Sequence, residues 1–424
     1  MEDKEIINNI YSEDKDIKRE AILKLREKPD FLSEEVIRYL LSLLNSNEPA
    51  IVDAVYNVLI EIDNDFLSKE LIKLLATENI KVRSYIFEIL NQKGKKSINN
   101  LVSKLNSKDP NERKFAVDIL GEINADDKEE NIISLLDDED ANVRFAAVEA
   151  LSKIGGKKSV EALFKHLEKE KEVWVKYAII EALSKIGDSE IAYKLIKFPL
   201  YDDIYIFNAV IETVSKIGDK DIIISMFEIL PLVGVKEKLY IITAVFNLIK
   251  KYGEDILDKL TDTLSIKKIL MELLREDIKD KSDILLLLSY FLDTHSYYVF
   301  LPYLNSSIER EINAAVIGLK RLKNVNSIEF LLEIFPYHKN YIKLNILEAL
   351  SNFKSIEIKR KLMDYIDNEN DTLKLSIFRL LMNYYDDEIE KLFEELLKKY
   401  KDNEEFIFNL KKIKGEFNKG ENNG

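Results

Sequence analysis

His166, His295 and His338 are the chain's three histidines, and none has a second histidine one helical turn away. A helical zinc site needs two such nitrogens on one face, so the spacing predicts no metal centre. Cysteine is absent throughout. That removes thiolate zinc ligands, iron–sulfur clusters, disulfides and a cysteine nucleophile together. Gly94-Lys95-Lys96-Ser97 and Gly156-Lys157-Lys158-Ser159 share residue types with a phosphate loop. Ile89 and Leu151 stand where its first glycine belongs, and no strand precedes either segment, so both read as turns between helices. No dinucleotide fingerprint occurs, and acidic pairs are too frequent for one of them to mark a catalytic dyad. The residue types therefore predict no catalytic, cofactor-binding or metal site.

What recurs instead is a pairing of charges. Asp109 is followed four residues later by Arg113, Asp140 by Arg144 and Glu172 by Lys176, and the spacing returns at Asp14 and Lys18, Asn79 and Arg83, Asp277 and Lys281, and Asn370 and Lys374. An acceptor at the first position suits the positive start of a helix, and the cation can bond a carboxylate of its own or the adjacent unit. Repeat edges are commonly organised by such pairs, so the series reads as a structural ladder rather than a basic ligand groove.

Aromatic residues gather in three connecting segments: Phe198, Pro199, Tyr201 and Tyr205; Tyr297, Tyr298, Phe300, Pro302 and Tyr303; and Phe335, Pro336, Tyr337, His338 and Tyr341. Tyrosine combines a large contact area with a polar tip, which makes Tyr201, Tyr205, Tyr297, Tyr298, Tyr337 and Tyr341 candidate anchors for a protein partner. Trp174, in the first turn of a ladder helix, is expected to be buried against the neighbouring hairpin.

The elements that must carry these residues follow from apolar phase. With Val148 as marker, equivalent residues are Ile22, Tyr56, Phe87, Val117, Ile180, Ile211, Ile242, Leu285, Val316, Leu347 and Phe378, giving twelve units spaced mostly about 31 residues apart, with one interval of 43. Each marker has an aliphatic residue three positions on, as in Leu151 and Leu183, so a continuous stripe faces one way along a helix. Gly94, Gly155, Gly187 and Gly218, with Asn124 in the same register, fall seven residues past the marker and predict left-handed helix ends. A second helical pattern follows each turn, as in Val160, Leu163, Phe164 and Leu167. Each unit is thus a helical hairpin that must stack on its neighbours to bury both faces. The expectation is an all-α fold, an α-solenoid of about twelve hairpins. Its divisions are an N-terminal array over 1–252, an irregular joint over 253–282, a C-terminal array over 283–400, and a capping helix and disordered tail over 401–424, with the tail beginning at Gly415.

Composition agrees with helices. Only 12 glycines and 7 prolines occur in 424 residues, too few for the turns of a strand-rich architecture. The net charge of −14 opposes nonspecific binding to phosphate backbones or anionic lipid, so nucleic acid and membrane partners are not expected. Ile284 to Leu292, the longest strongly apolar run, is far shorter than the ~20 residues of a bilayer span. The acidic, polar start of the chain lacks a secretion signal, and a soluble cytoplasmic protein is expected.

Asp138-Glu139-Asp140, Val143-Arg144, Ala146-Ala147, Ala150-Leu151 and Ile154-Gly155 together resemble the HEAT repeat, in the short form named after phycobilisome lyases. The resemblance covers nearly the whole chain and is strongest from Asn79 to Gly218. It implies a curved stack of hairpins that holds partners along its faces or its inter-repeat edge, and hence a non-catalytic scaffold or adaptor. Relatives of this repeat include accessory subunits of modifying enzymes, bilin lyases among them, and DNA-binding glycosylases; no specific motif of the first kind is present, and the acidic charge opposes the second. The HEAT-repeat di-iron hydroxylases are set aside because no His-Glu pair exists in the sequence.

Overall fold

The computed structural model of the protein describes residues 2–27, 32–62, 65–74, 77, 79–94, 98–198 and 203–421. Among them there is no strand, and each of the twelve markers lies on an α-helix. These first helices of the hairpins are α1 (Lys15–Lys24), α2 (Pro49–Glu61), α3 (Ile80–Lys93), α4 (Pro110–Glu122), α5 (Ala141–Ile154), α6 (Val173–Ile186), α7 (Ile204–Ile217), α8 (Val235–Tyr252), α9 (Ser282–Leu288), α10 (Glu309–Leu322), α11 (Asn340–Leu350) and α12 (Asp371–Leu381). Two terminal helices follow, α13 (Asp387–Lys399) and α14 (Glu404–Glu421).

The chain divides into two compact units, Met1–Ile222 and Ile223–Gly424. In the first, α1 to α7 pack side by side in chain order, and shorter partner helices such as Glu34–Leu43, Lys157–Leu167 and Ser189–Leu195 lie behind them. On α5, Val143, Ala147, Val148 and Leu151 are buried together, each large aliphatic side chain contributing about 1.5–3 kcal/mol. Small residues set the closeness of the stack. A Cβ placed on Gly121 of α4 would stand 2.8 Å from both Cα and Cβ of Ala150 on α5, so these backbones approach closer than any side chain permits.

In the second unit α8 to α12 pack in the same succession, and α14 takes the place of a further first helix beside α12. The 43-residue interval holds a short 3-10 turn, Asp255–Lys259, and a helix, Thr263–Leu273, that buries Ile266, Leu270 and Leu273. One core runs from Leu285 to Ile413, with the rings of Phe335 and Tyr365 stacked at 5.6 Å and those of Phe378 and Phe393 at 5.8 Å. The terminal helix does not stop at Gly415. It continues to Glu421, because Phe417 finds the ring of Tyr385 at 5.3 Å, a contact that offsets the roughly 1 kcal/mol helix penalty of glycine.

Helix starts keep the register of the sequence with one exception. The residue eight before the marker is the N-cap of every first helix but α9, including Gly234, Ile308 and Lys339, which lack a capping side chain. Asp14, Asn79, Asp109, Asp140, Asp203 and Asn370 accept hydrogen bonds from the first turn, whereas Glu48 and Glu172 cap with backbone alone. Asp277 caps nothing: α9 starts late, at Ser282, and Lys281 occupies the N-cap position instead of the second turn.

The glycine ends are of two kinds. Asn124, Gly94 and Gly155 are left-handed, with φ of 50°, 54° and 63°. Gly187 and Gly218 are not, at φ −77° and −73°. Glycine serves there for room, since a Cβ on Gly187 would lie 2.5 Å from the Leu183 carbonyl oxygen.

Candidate interaction surface

The cations of the ladder point inward. Arg113, buried in the second turn of α4, donates Nε–H to Asp138 Oδ2 and Nη2–H to Asp138 Oδ1, both at 2.7 Å, while Nη1 reaches back to the Ser107 carbonyl at 2.9 Å. Arg144 of α5 repeats the arrangement one unit on, with Glu170 as its fork at 2.8 Å on both nitrogens and the Asp138 carbonyl behind it at 3.0 Å. In the second unit Lys343 pairs with Glu369, 2.5 Å away, and Lys374 donates to the Asp367 and Glu369 carbonyls. Arg113, Arg144 and Lys343 thus tie their own helices to the loop entering the next, whereas Lys374 closes on the loop entering its own. The carboxylates that Arg113 and Arg144 meet are not the N-cap residues Asp140 and Glu172 but Asp138 and Glu170, two positions earlier. Asp109 and Asp140 are spent on the first turns of α4 and α5, and Glu172 donates its N–H to Glu170 at 2.9 Å. For Lys176 the equivalent partner positions, 201–202, lie outside the described residues.

Glu170 is the most heavily bonded carboxylate of the series. Besides Arg144 it accepts from the N–H groups of Lys171 and Glu172, and from His166 Nε2 at 2.9 Å. Burial pushes its carboxyl group up, yet the bonds from Arg144, the Glu172 N–H, His166 and the Lys171 N–H outweigh it and hold the pKa at about 2. His166 is itself buried, so this histidine is a member of the inter-repeat staple.

The candidate anchors divide sharply. Tyr201 lies outside the described residues. Tyr205, in the first turn of α7, is 75% exposed, Tyr298 62% and Tyr337 83%. Tyr341 is exposed on α11 and donates its hydroxyl to Glu309 at 3.2 Å. Tyr297 is half-buried, packed against the second core with its ring 6.4 Å from that of Tyr298. Phe300 and Phe335 of the same segments are fully buried. Trp174 departs from expectation: it is 43% exposed, because the first turn of α6 sets it beside Phe145 of α5, ring centroids 5.3 Å apart, rather than beneath a neighbouring hairpin. Among the described residues no cluster of three or more histidines and carboxylates could hold a metal ion, and no helix is long and apolar enough to cross a membrane.

A family model described as HEAT repeats matches residues 98–184 and 131–213, the stretch that carries the arginine forks. The chain carries HEAT repeats. Among solved structures it is similar to Kap121p bound to RanGTP, 14% identical over 97% of this chain and 56% of that one, with a TM-score of 0.52. It is also similar to importin beta, 12% identical over 89% of this chain and 64% of that one, with a TM-score of 0.43. The chain spans less than two thirds of the length of either, and at these identities the likeness is one of fold alone. No curated protein matches the sequence.

Within the HEAT stack of the first unit, the outward face of the first helices is formed by the positions six and three before the marker and one after it, spaced as i, i+3 and i+7. On α6 these are Trp174, Tyr177 and Glu181, on α5 Asn142, Phe145 and Glu149, and on α7 Tyr205, Asn208 and Glu212. The aromatic content of this face escapes a search confined to connecting segments, since Tyr177 and Phe145 sit one full turn inside their helices. Matching each outward position across successive units would reveal it. Asp138 and Glu170 are equally legible in hindsight, 25 and 26 residues after the arginines they meet.

Proposed function

We propose that this protein is a non-catalytic scaffold or adaptor that binds protein partners through aromatic side chains standing out from its helical frame. The observation that carries the reading is the exposure of Tyr205, Tyr298 and Tyr337, large rings left in water by helices and turns whose neighbouring residues are buried. Aromatic anchors on a rigid base lose little side-chain entropy on binding and supply much of an interface's energy. Tyr297 and Tyr341 border the same segments and complete the contact areas. The Kap121p structure of similar fold, taken in complex with RanGTP, gives this kind of role a precedent.

Cross-linking and mass spectrometry of the full chain in its native extract tests the reading. The expected result is one stoichiometric protein whose cross-links fall near these tyrosines, with recovery lost in Tyr205→Ala and Tyr337→Ala while melting is unchanged. Recovery that survives both substitutions, or a preparation free of any partner, overturns it.

A further inference from the structure

The outward face of α5, α6 and α7 carries two adjacent kinds of side chain. One is aromatic and apolar: Phe145, Trp174, Tyr177 and Tyr205, with Tyr177 47% exposed and Trp174 and Tyr205 also open to solvent. The other is acidic: Glu149, Glu181 and Glu212, one carboxylate at the same register on each helix. The combination stops at α5. In the same three positions α4 has Asn111, Lys114 and Asp118, and α3 has Lys81, Ser84 and Glu88, so within the first unit the acidic row continues while the aromatic one is confined to three consecutive repeats. Stacking in a solenoid demands nothing of outward positions, and a local run of rings there answers to something outside the chain.

The charges on this face are unevenly satisfied. Lys153 is bound by Glu122, Lys185 by Glu181, and Lys216 donates to Ser184 Oγ at 3.0 Å. Glu149 and Glu212 form no ion pair among the described residues, Glu212 accepting only the amide of Asn208 at 3.0 Å. Between α6 and α7 the face sinks into a depression of about 420 Å³ lined by Tyr177, Ile180, Glu181, Glu212 and Thr213, with Lys216 at its edge held to Ser184. A ring wall with carboxylates beside it is the environment that a lysine or arginine side chain seeks, its methylenes against the aromatic and its charge against the acid. None of the rings of Trp174, Tyr177 and Tyr205 is occupied by a cation of this chain among the described residues.

We infer that this face is a docking site for an extended, lysine- or arginine-bearing segment of a partner protein, laid across α5, α6 and α7. The inference rests on the protein-binding reading above and adds the partner's chemistry. Neighbouring helices pack about 8–10 Å apart, so a segment spanning the three covers roughly 20 Å, about six residues at 3.3 Å each. Trp174, Tyr177 and Tyr205 take its apolar and cationic stems, and Glu181 and Glu212 take a charge into the depression between their helices.

The test is fluorescence anisotropy on the full chain with three fluorescein-labelled nine-residue peptides of matched backbone, bearing lysine and arginine, glutamate, or glutamine at alternating positions. The cationic peptide is expected to bind, to weaken with added salt, and to lose about tenfold in affinity in both the Trp174→Ala/Tyr177→Ala and the Glu181→Gln/Glu212→Gln variants. All four sites are on the surface, and circular dichroism melts of both variants should match the parent. Equal binding of the cationic peptide by parent and variants overturns the site. Binding of the acidic or neutral peptide that the aromatic substitutions abolish overturns the basic occupant while the face remains a docking surface. Failure of every peptide to bind at millimolar concentration overturns the inference, and leaves the cross-linking experiment at Tyr205 and Tyr337 to decide the scaffold reading by itself.

Discussion

Arg113 closes both oxygens of Asp138 in a planar fork, 2.7 Å on each side, with the arginine side chain on one HEAT repeat and the carboxylate in the loop that begins the next. Both side chains are less than a tenth exposed. Removing one partner strands a buried charge, so Arg113→Met is expected to destabilise the first unit by about 3–5 kcal/mol, and Asp138→Leu by a similar amount. The double variant should recover most of the loss, because no charge is then left unpaired. Trp174 is the sole tryptophan and lies in this unit, so urea unfolding followed by its fluorescence reads the cycle directly. Independent, additive losses would show that the fork does not couple the two repeats.

The equivalent carboxylate one repeat later gives a pH dependence with a definite sign. Glu170 titrates at about 2 in the folded protein, against about 4.5 for an ordinary glutamate, so the folded state binds its proton less readily than the unfolded chain. Its contribution is fully present above about pH 4.5, declines as the pH falls below that, and is gone below about 2. Glu170→Gln should therefore lower the melting temperature at neutral pH and narrow its difference from the parent as the pH is lowered from 5 to 2. A difference that stays constant across that range would assign Glu170 a purely steric role. Tryptophan-monitored melts at several acid pH values make the measurement.

A second close approach belongs to the other unit. A Cβ on Gly318, in the interior of α10, would be driven into the ring of Phe300, which is fully buried. Gly318→Ala removes a helix-breaking residue, a change that on an open surface stabilises by up to about 1 kcal/mol. Here it should cost about 1–3 kcal/mol instead, through overpacking. Hydrogen exchange over Glu309–Leu322 is the readout, with faster exchange expected in the variant. Shortening the ring with Phe300→Leu in the same chain should restore part of the protection; a stabilised single variant would show that the ring moves aside freely.

How much of this was legible beforehand depends on the kind of contact. Marker phase and N-cap register come from the chain's own periodicity, and an i+3 aliphatic residue has the same meaning on every helix, so α1 to α8 and α10 to α12 start where expected. Register failed at Asp277, inside the one long interval, where the spacing that defined it was itself broken. The forks of Arg113 and Arg144 were visible as cations able to reach the adjacent unit, but the ladder's register marks the N-caps Asp140 and Glu172 there, while the carboxylates they meet are Asp138 and Glu170, two residues earlier. Gly187 shows the same limit: its composition matched a left-handed helix end, while the actual reason for glycine is the Leu183 carbonyl beside it. Trp174 illustrates the reverse case, where residue type argued for burial and position on the helix put the ring at the surface.

The tyrosine and phenylalanine of the turn after Ile334 test that distinction between packing and display. Phe335 is completely buried and stacks on Tyr365, with Lys343 held 5.4 Å above the ring, whereas Tyr337, two residues on, is 83% exposed. Phe335→Ala opens a cavity in the second core and should cost about 3–5 kcal/mol. Tyr337→Ala takes away a side chain that the fold hardly touches and should change stability by no more than about 0.5 kcal/mol. Thermal melts of the two variants in parallel decide whether the display is genuine. A Tyr337→Ala variant that melts as early as Phe335→Ala would place the tyrosine in the packing of the second unit and remove it from the binding surface.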